Sequence, residues 1–226
     1  MITTPDLIES LAAEAAPVRR LRHPVLRAGL WLLLAATVVL LIAVEHGLRG
    51  DIAERLRQPM FLAGVAASAV TGILAAIAAF MISLPDRSRG WLLLPVPALL
   101  VWLSTISYGC LTDWVDVTPA GVEAGEAARC FATLFLTGMP LSITLLLMLR
   151  YAAALRPAET VMSGALAIAA IAATALSLFH DLDATIMILV WNIGVAAILV
   201  ALGGAYGRTL LTWMAPPPLS LAPAPG

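Results

Sequence analysis

Lysine is absent from this 226-residue chain: all thirteen basic residues are arginine, set against fourteen acidic ones for a net charge of −1. So small a balance removes any general electrostatic case for nucleic acid. Cysteine is nearly absent as well, and two in the whole chain exclude the disulfide framework of a small secreted domain. No cleavable signal is evident, because the first apolar run starts after Arg27 and continues to membrane-spanning length. There is no phosphate loop, nucleophile elbow or metalloprotease motif, so catalysis has little support. No convincing internal repeat is found, which disfavours an inverted-repeat transporter. Ionisable groups at mid-span, the usual mark of a membrane pump or enzyme, are missing too.

What the chain has instead is apolar residues, 61% of the total, with a mean hydropathy of +0.96, the signature of an integral membrane protein. Six runs are long enough to cross a hydrocarbon layer, which takes about twenty helical residues. They lie near residues 25–44, 60–84, 91–109, 131–149, 160–179 and 184–206. The expected fold is an all-α, polytopic bundle of six transmembrane helices occupying 25–206, with a soluble segment at 1–24 and a proline-rich, low-complexity tail at 207–226. The alanine-rich fifth run is the weakest span. Pro95, Pro97 and Pro140 lie in or beside spans and predict kinks. Gly203 and Gly207 form a GxxxG pattern of low significance in so alanine-rich a chain. Thr71, Ser142, Thr144, Ser163 and Thr174 are polar but can bond to their own backbone. Asn192 reads as a helix-to-helix hydrogen bond.

An even number of spans puts both termini on one side, and arginine counting chooses it. Arg19, Arg20, Arg22, Arg27, Arg87, Arg89, Arg150, Arg156 and Arg208 share the side of the termini; Arg49, Arg55, Arg57 and Arg129 face the other. The termini should be cytoplasmic, with Trp31, Trp91 and Trp213 as anchors at that boundary and Trp114 at the outer one.

The segment at residues 3–24 is the longest that reads as soluble. Thr4 suits a cap, Pro5 the first helical position, and Asp6 and Glu9 the positive end of a helix dipole. Leu7, Ile8, Leu11, Ala12 and Ala15 recur at helical spacing until Pro17 stops the pattern. The result is a helix of about three turns with one apolar face, too short to persist alone in water. It either packs on the rest of the chain, lies on lipid, or binds a separate protein; its acidic polar face argues against lipid.

Both cysteines fall on the expected outer face, Cys110 closing the third span and Cys130 opening the fourth. In an oxidising compartment they can pair, and closing that loop would stabilise by about 3 kcal/mol in the chain-entropy model. The other reading is a reactive or soft-metal pair, with His180 as third ligand, Asp113 or Asp183 nearby, and His46 a weaker candidate. Their spacing is no zinc-finger spacing. Either oxidation or a transiently bound soft metal ion would tie the outer ends of the two spans together, and no resident cofactor is expected.

The stretches DLIESLAAEAAPVRRL at the N-terminus, LPDRSRGWLLLPVPALLVWL leading into the third span, YGCLTDW at its end, LRPAET after the fourth and LFHDLDATIMILVWNIG through the sixth occur together and in order. In these the chain resembles the NrsF family of six-span anti-sigma factors, over roughly Thr3 to Trp213. The resemblance implies an inner-membrane protein that holds an extracytoplasmic-function sigma factor inactive and frees it under heavy-metal or oxidative stress. It also implies that two outer cysteines serve the response; Cys110 matches within YGC, and Cys130 is the corresponding residue before the fourth span.

The expected sigma-binding surface combines Asp6, Leu7, Ile8 and Leu11 with Arg87, Arg89 and Arg156 of the inner turns. Burying the three aliphatic side chains yields about 1.5–3 kcal/mol each, less an ordering cost of about 2–5 kcal/mol if the segment folds on binding. The remainder supports only weak affinity, so the inner turns or a second copy of the chain must contribute. Two readings of another class compete. A quinone-linked thiol redox protein would need exchange-competent cysteine pairs, usually CxxC; a small-solute transporter would need charge within the membrane.

Overall fold

Three of the long helices begin on proline, whose missing N–H is harmless in a first turn and whose fixed φ suits one. The computed structural model describes residues 4–14, 22–113, 124–149, 156–179, 197–198, 200–207 and 209. In chain order its helices are α1 (Thr4–Glu14), α2 (Pro24–His46), α3 (Ile52–Arg55), α4 (Pro59–Ile82), α5 (Val96–Asp113), α6 (Ala124–Leu149) and α7 (Pro157–Phe179), with a 3₁₀ turn at Arg89–Leu93 ahead of α5. Residues 200–207 are helical as well. No strand occurs among the described residues, so the all-α class holds.

Among the described residues four helical stretches are long and apolar enough to cross a membrane: Pro24–Glu45, Pro59–Ile82, Arg89–Tyr108 and Pro157–Phe179. They match the first, second, third and fifth expected spans to within a turn. The fourth is shorter in apolar length. Although α6 runs from Ala124, its apolar part is Phe135–Leu149. Most of the sixth run, with Asn192, lies outside the described residues.

Burial reverses one expectation. The alanine-rich α7 is no marginal span: 61% of its apolar stretch is buried, as in α4, against 11% for the third span. Alanine is what lets α4 and α7 approach. Ala75, Ala76, Ala78 and Ala79 of α4 and Ala167, Ala169, Ala170, Ala172 and Ala173 of α7 are all buried, and a Cβ on Gly72 would come within 2.8 Å of Ile171 Cγ1 and 3.3 Å of the Ala167 carbonyl. Without a hydrophobic drive between helices in lipid, such close backbone packing supplies the association.

Pro95 and Pro97 lie within the third span, at the break between its 3₁₀ turn and its α-helix. They end the 3₁₀ turn and open α5, where the Pro95 carbonyl accepts from Leu99 N at 2.9 Å. Trp31 is no interfacial anchor; it is 0% exposed in the core with Phe80, Leu141 and Leu145. The Gly203/Gly207 pattern has a definite use. A Cβ on Gly203 would meet Val161 Cγ1 at 2.9 Å and one on Gly207 would meet Ala158 Cα at 3.1 Å, so these glycines seat the last helix on the start of α7.

Candidate functional site

The arginine-rich end of the bundle is built where α4 stops and α7 starts. Ser83 N still bonds the Ala79 carbonyl, but Pro85 disfavours further helix, and Arg87 N turns back to the Leu84 carbonyl at 3.3 Å. On the facing side, the Arg156 carbonyl accepts from Thr160 N at 3.2 Å and Thr160 Oγ1 at 2.8 Å, which makes Arg156 the cap of α7 ahead of Pro157. Its guanidinium reaches across the junction. Nη1 donates to the Arg87 carbonyl at 2.7 Å and Nη2 to the Pro85 carbonyl at 3.5 Å. Glu159, favoured in the first turn of α7 by the helix dipole, pairs with Arg89 at 3.3 Å. The two turns, whose Arg87 and Arg156 lie 69 residues apart in sequence, therefore form one clasped surface.

Within that surface the three candidate arginines differ. Arg156 spends its donors on backbone carbonyls and is a fastener. Arg87 is half-buried, with Nε 3.7 Å from Asp86. Arg89 has a side chain 70% exposed and lies beside an open groove lined by Ser88, Gly90, Trp91, Leu93, Leu94 and Pro97. Of the three it is best placed to meet a partner.

Helix α1 spans three turns, as expected, with Thr4 as its first helical residue rather than its cap, a shift of one position that boundary assignment allows. Its described side chains, Thr4, Pro5, Ile8, Glu9, Ser10, Ala12 and Ala13, are all exposed, Ile8 at 62%. The side chains of Asp6, Leu7 and Leu11 lie outside the described residues.

Three buried or clustered features at the two ends involve residues that the sequence singles out only for orientation. Arg27, at 6% exposure, donates from Nη2 to the Met148 carbonyl of α6 and lies over the Phe80 ring at 5.2 Å. Trp31 Nε1 donates to the Leu141 carbonyl at 3.2 Å. At the far end of the bundle, Asp51 accepts from both Arg49 and Arg55, at 2.9 Å and 3.2 Å, while Arg49 lies over Phe61 and its backbone N bonds the Leu178 carbonyl at the end of α7. The hydrogen bond from Arg49, reinforced by Arg55, lowers the Asp51 carboxyl to about 2. The spacing of Asp51 and Arg55 could have pointed to this pair; nothing local marks Trp31.

The backbone of Cys110 lies in the last turn of α5 and that of Cys130 in the second turn of α6, at helix ends remote from the clasp. Their side chains, that of His46, and His180 altogether lie outside the described residues. Among the described residues no group of three or more His, Cys, Asp or Glu could hold a metal ion.

Comparison with curated proteins and with solved structures gave no match. A family model does match, over residues 11–213, from the second half of α1 to the start of the proline-rich tail. It describes a regulator rather than a catalyst. The chain belongs to the NrsF family, the negative regulators of sigma F.

Proposed function

We propose that the chain is a membrane-bound anti-sigma factor that sequesters an extracytoplasmic-function sigma factor at its arginine-rich end and frees it on heavy-metal or oxidative stress through Cys110 and Cys130. In this reading it spans the bacterial inner membrane six times, with both termini and the clasp in the cytoplasm and the cysteines outside. The family match supplies the class of partner. The observation that supports the binding surface is the exposed apolar Ile8 on a helix too short to stand alone.

Arginine distribution supports the orientation. Arg27, Arg87, Arg89 and Arg156 gather at the end that carries the N-terminus of α2, and Arg49, Arg55 and Arg57 at the other. An ion-paired, half-apolar surface at the clasp complements the weak affinity that α1 offers by itself.

Co-purification of the full chain with candidate sigma factors tests the reading. Ile8→Asp should weaken capture about tenfold or more, since it removes about 1.5–3 kcal/mol of apolar burial. Capture unaffected by Ile8→Asp would remove α1 from the surface. A free peptide of residues 1–24 should bind far more weakly than the full chain; nanomolar binding by the peptide would refute the shared surface.

A further inference from the structure

Arg27 is a charged side chain held inside the bundle, over the Phe80 ring. It is buried in the first turn of α2, and while Nη2 reaches the Met148 carbonyl, Nη1 is buried with no hydrogen-bond partner. The Met148 carbonyl belongs to the last turn of α6, where carbonyls have no partner within the helix and positive charge is favoured. One turn further along α2, Trp31 fastens the Leu141 carbonyl. Leu141 directly follows Pro140, which removes one helical hydrogen bond and marks a kink site. Helix α2 thus holds α6 at two points, just after its proline and at its C-terminal turn. The same α6 carries Cys130 on the other side of Pro140, and α2 is the helix that follows the N-terminal arm in the chain.

We infer that Arg27 and Trp31 are the positioning residues through which a change at Cys130 reaches that arm. The inference rests on the reading above, that the cysteines sense and the arm holds the sigma factor. Trp31 acts as the pivot. From Leu141 to Met148 is about 10 Å along the helix. A bend of about 10° at Pro140 displaces the Met148 carbonyl by about 2 Å, beyond hydrogen-bond range. Nη2 carries the hydrogen bond to the Met148 carbonyl, so a displacement of that size ends the fastening. Once released, the guanidinium extends to water and lipid phosphates at the boundary, as long basic side chains do. The direction of the first turn of α2, and of the arm joined to it, is then no longer fixed.

Hydrogen exchange on the full chain in phosphatidylethanolamine/phosphatidylglycerol nanodiscs, without sigma factor, tests this. Thiols are kept reduced or treated with diamide or Cd²⁺. In the wild type, treatment should speed exchange of the amides at 25–28 and 146–149 about tenfold. In Arg27→Met, which fills the same space, those amides should exchange fast in both states, with no thiol effect. An Arg27→Met protein that keeps the full thiol effect overturns the inference, since a mere packing role would leave that effect intact. A wild type without any thiol effect overturns it as well. Should Arg27→Met not fold, Trp31→Phe, which removes only the pivot N–H, must reduce the thiol effect. Sigma capture by the same preparations judges the parent reading separately: a chain that captures sigma but shows no thiol-dependent exchange remains an anti-sigma factor without this linkage.

Discussion

Ser163 of α7 donates its hydroxyl to the Ala75 carbonyl of α4 at 3.0 Å, across the most closely packed seam of the bundle. A second bridge, Ser68 to Thr174 at 2.9 Å, lies further along the same seam, and Gly72 sits between them. Such bonds contribute about 0.6 kcal/mol each in membrane proteins, so the close approach matters more than the bonds. Gly72→Leu should therefore destabilise by about 1–3 kcal/mol or more, because its side chain meets the backbone of Ala167 and Ile171, while Ser163→Ala should cost under about 1 kcal/mol. Thermal unfolding in detergent measures both; equal effects would show that packing does not dominate the seam.

The clasp separates two arginines that look alike in sequence. Arg156→Gln gives up donors to two backbone carbonyls and should lower stability by about 1–2 kcal/mol, weakening sigma capture only through the loosened turn. Arg89→Glu, on an exposed side chain, should leave thermal stability nearly unchanged while reducing capture and the salt dependence of capture. Unfolding temperature and capture, measured on both variants, distinguish fastener from contact.

Asp51 sets a pH response at the far end of the bundle. Its carboxyl is held at about 2 by Arg49 and Arg55, below the ordinary value of about 3.9 for an unfolded chain. A depressed carboxyl adds stability that is present above the ordinary value and is lost as pH falls through about 2. The wild type should lose order around residues 49–55 between about pH 4 and 2. Asp51→Asn should show no such step. Hydrogen exchange of that loop against pH reads the difference.

Four of the six expected spans were legible in the sequence as long helices, because twenty apolar residues between arginine-bearing turns admit few other structures. The sequence also placed α1, whose proline, acidic first turn and apolar spacing are local signals. Depth within the bundle was not legible. Trp31 resembles a boundary anchor by position, yet it is in the core because a carbonyl 110 residues away accepts its N–H. The alanines of α7 look weakly apolar one by one, and only their facing partners on α4 explain them. Likewise Arg87, Arg89 and Arg156 read alike in sequence as arginines of the turns between spans, but which of them fastens and which faces outward depends on hydrogen bonds between distant turns.

The cysteine pair gives the sharpest functional test. If oxidation or a soft metal must join the ends of α5 and α6, one thiol alone cannot do it, so Cys110→Ser and Cys130→Ser should each abolish release of the sigma factor by diamide or Cd²⁺ while leaving sequestration intact. A reporter driven by the cognate sigma factor, read with and without inducer, makes the measurement. His180→Ala then separates the two chemistries. A disulfide needs only the two sulfurs, whereas a soft cation gains from an imidazole ligand, so loss of the Cd²⁺ response with retention of the diamide response identifies coordination. Unaltered responses to both inducers in both cysteine variants would place the sensor elsewhere in the chain.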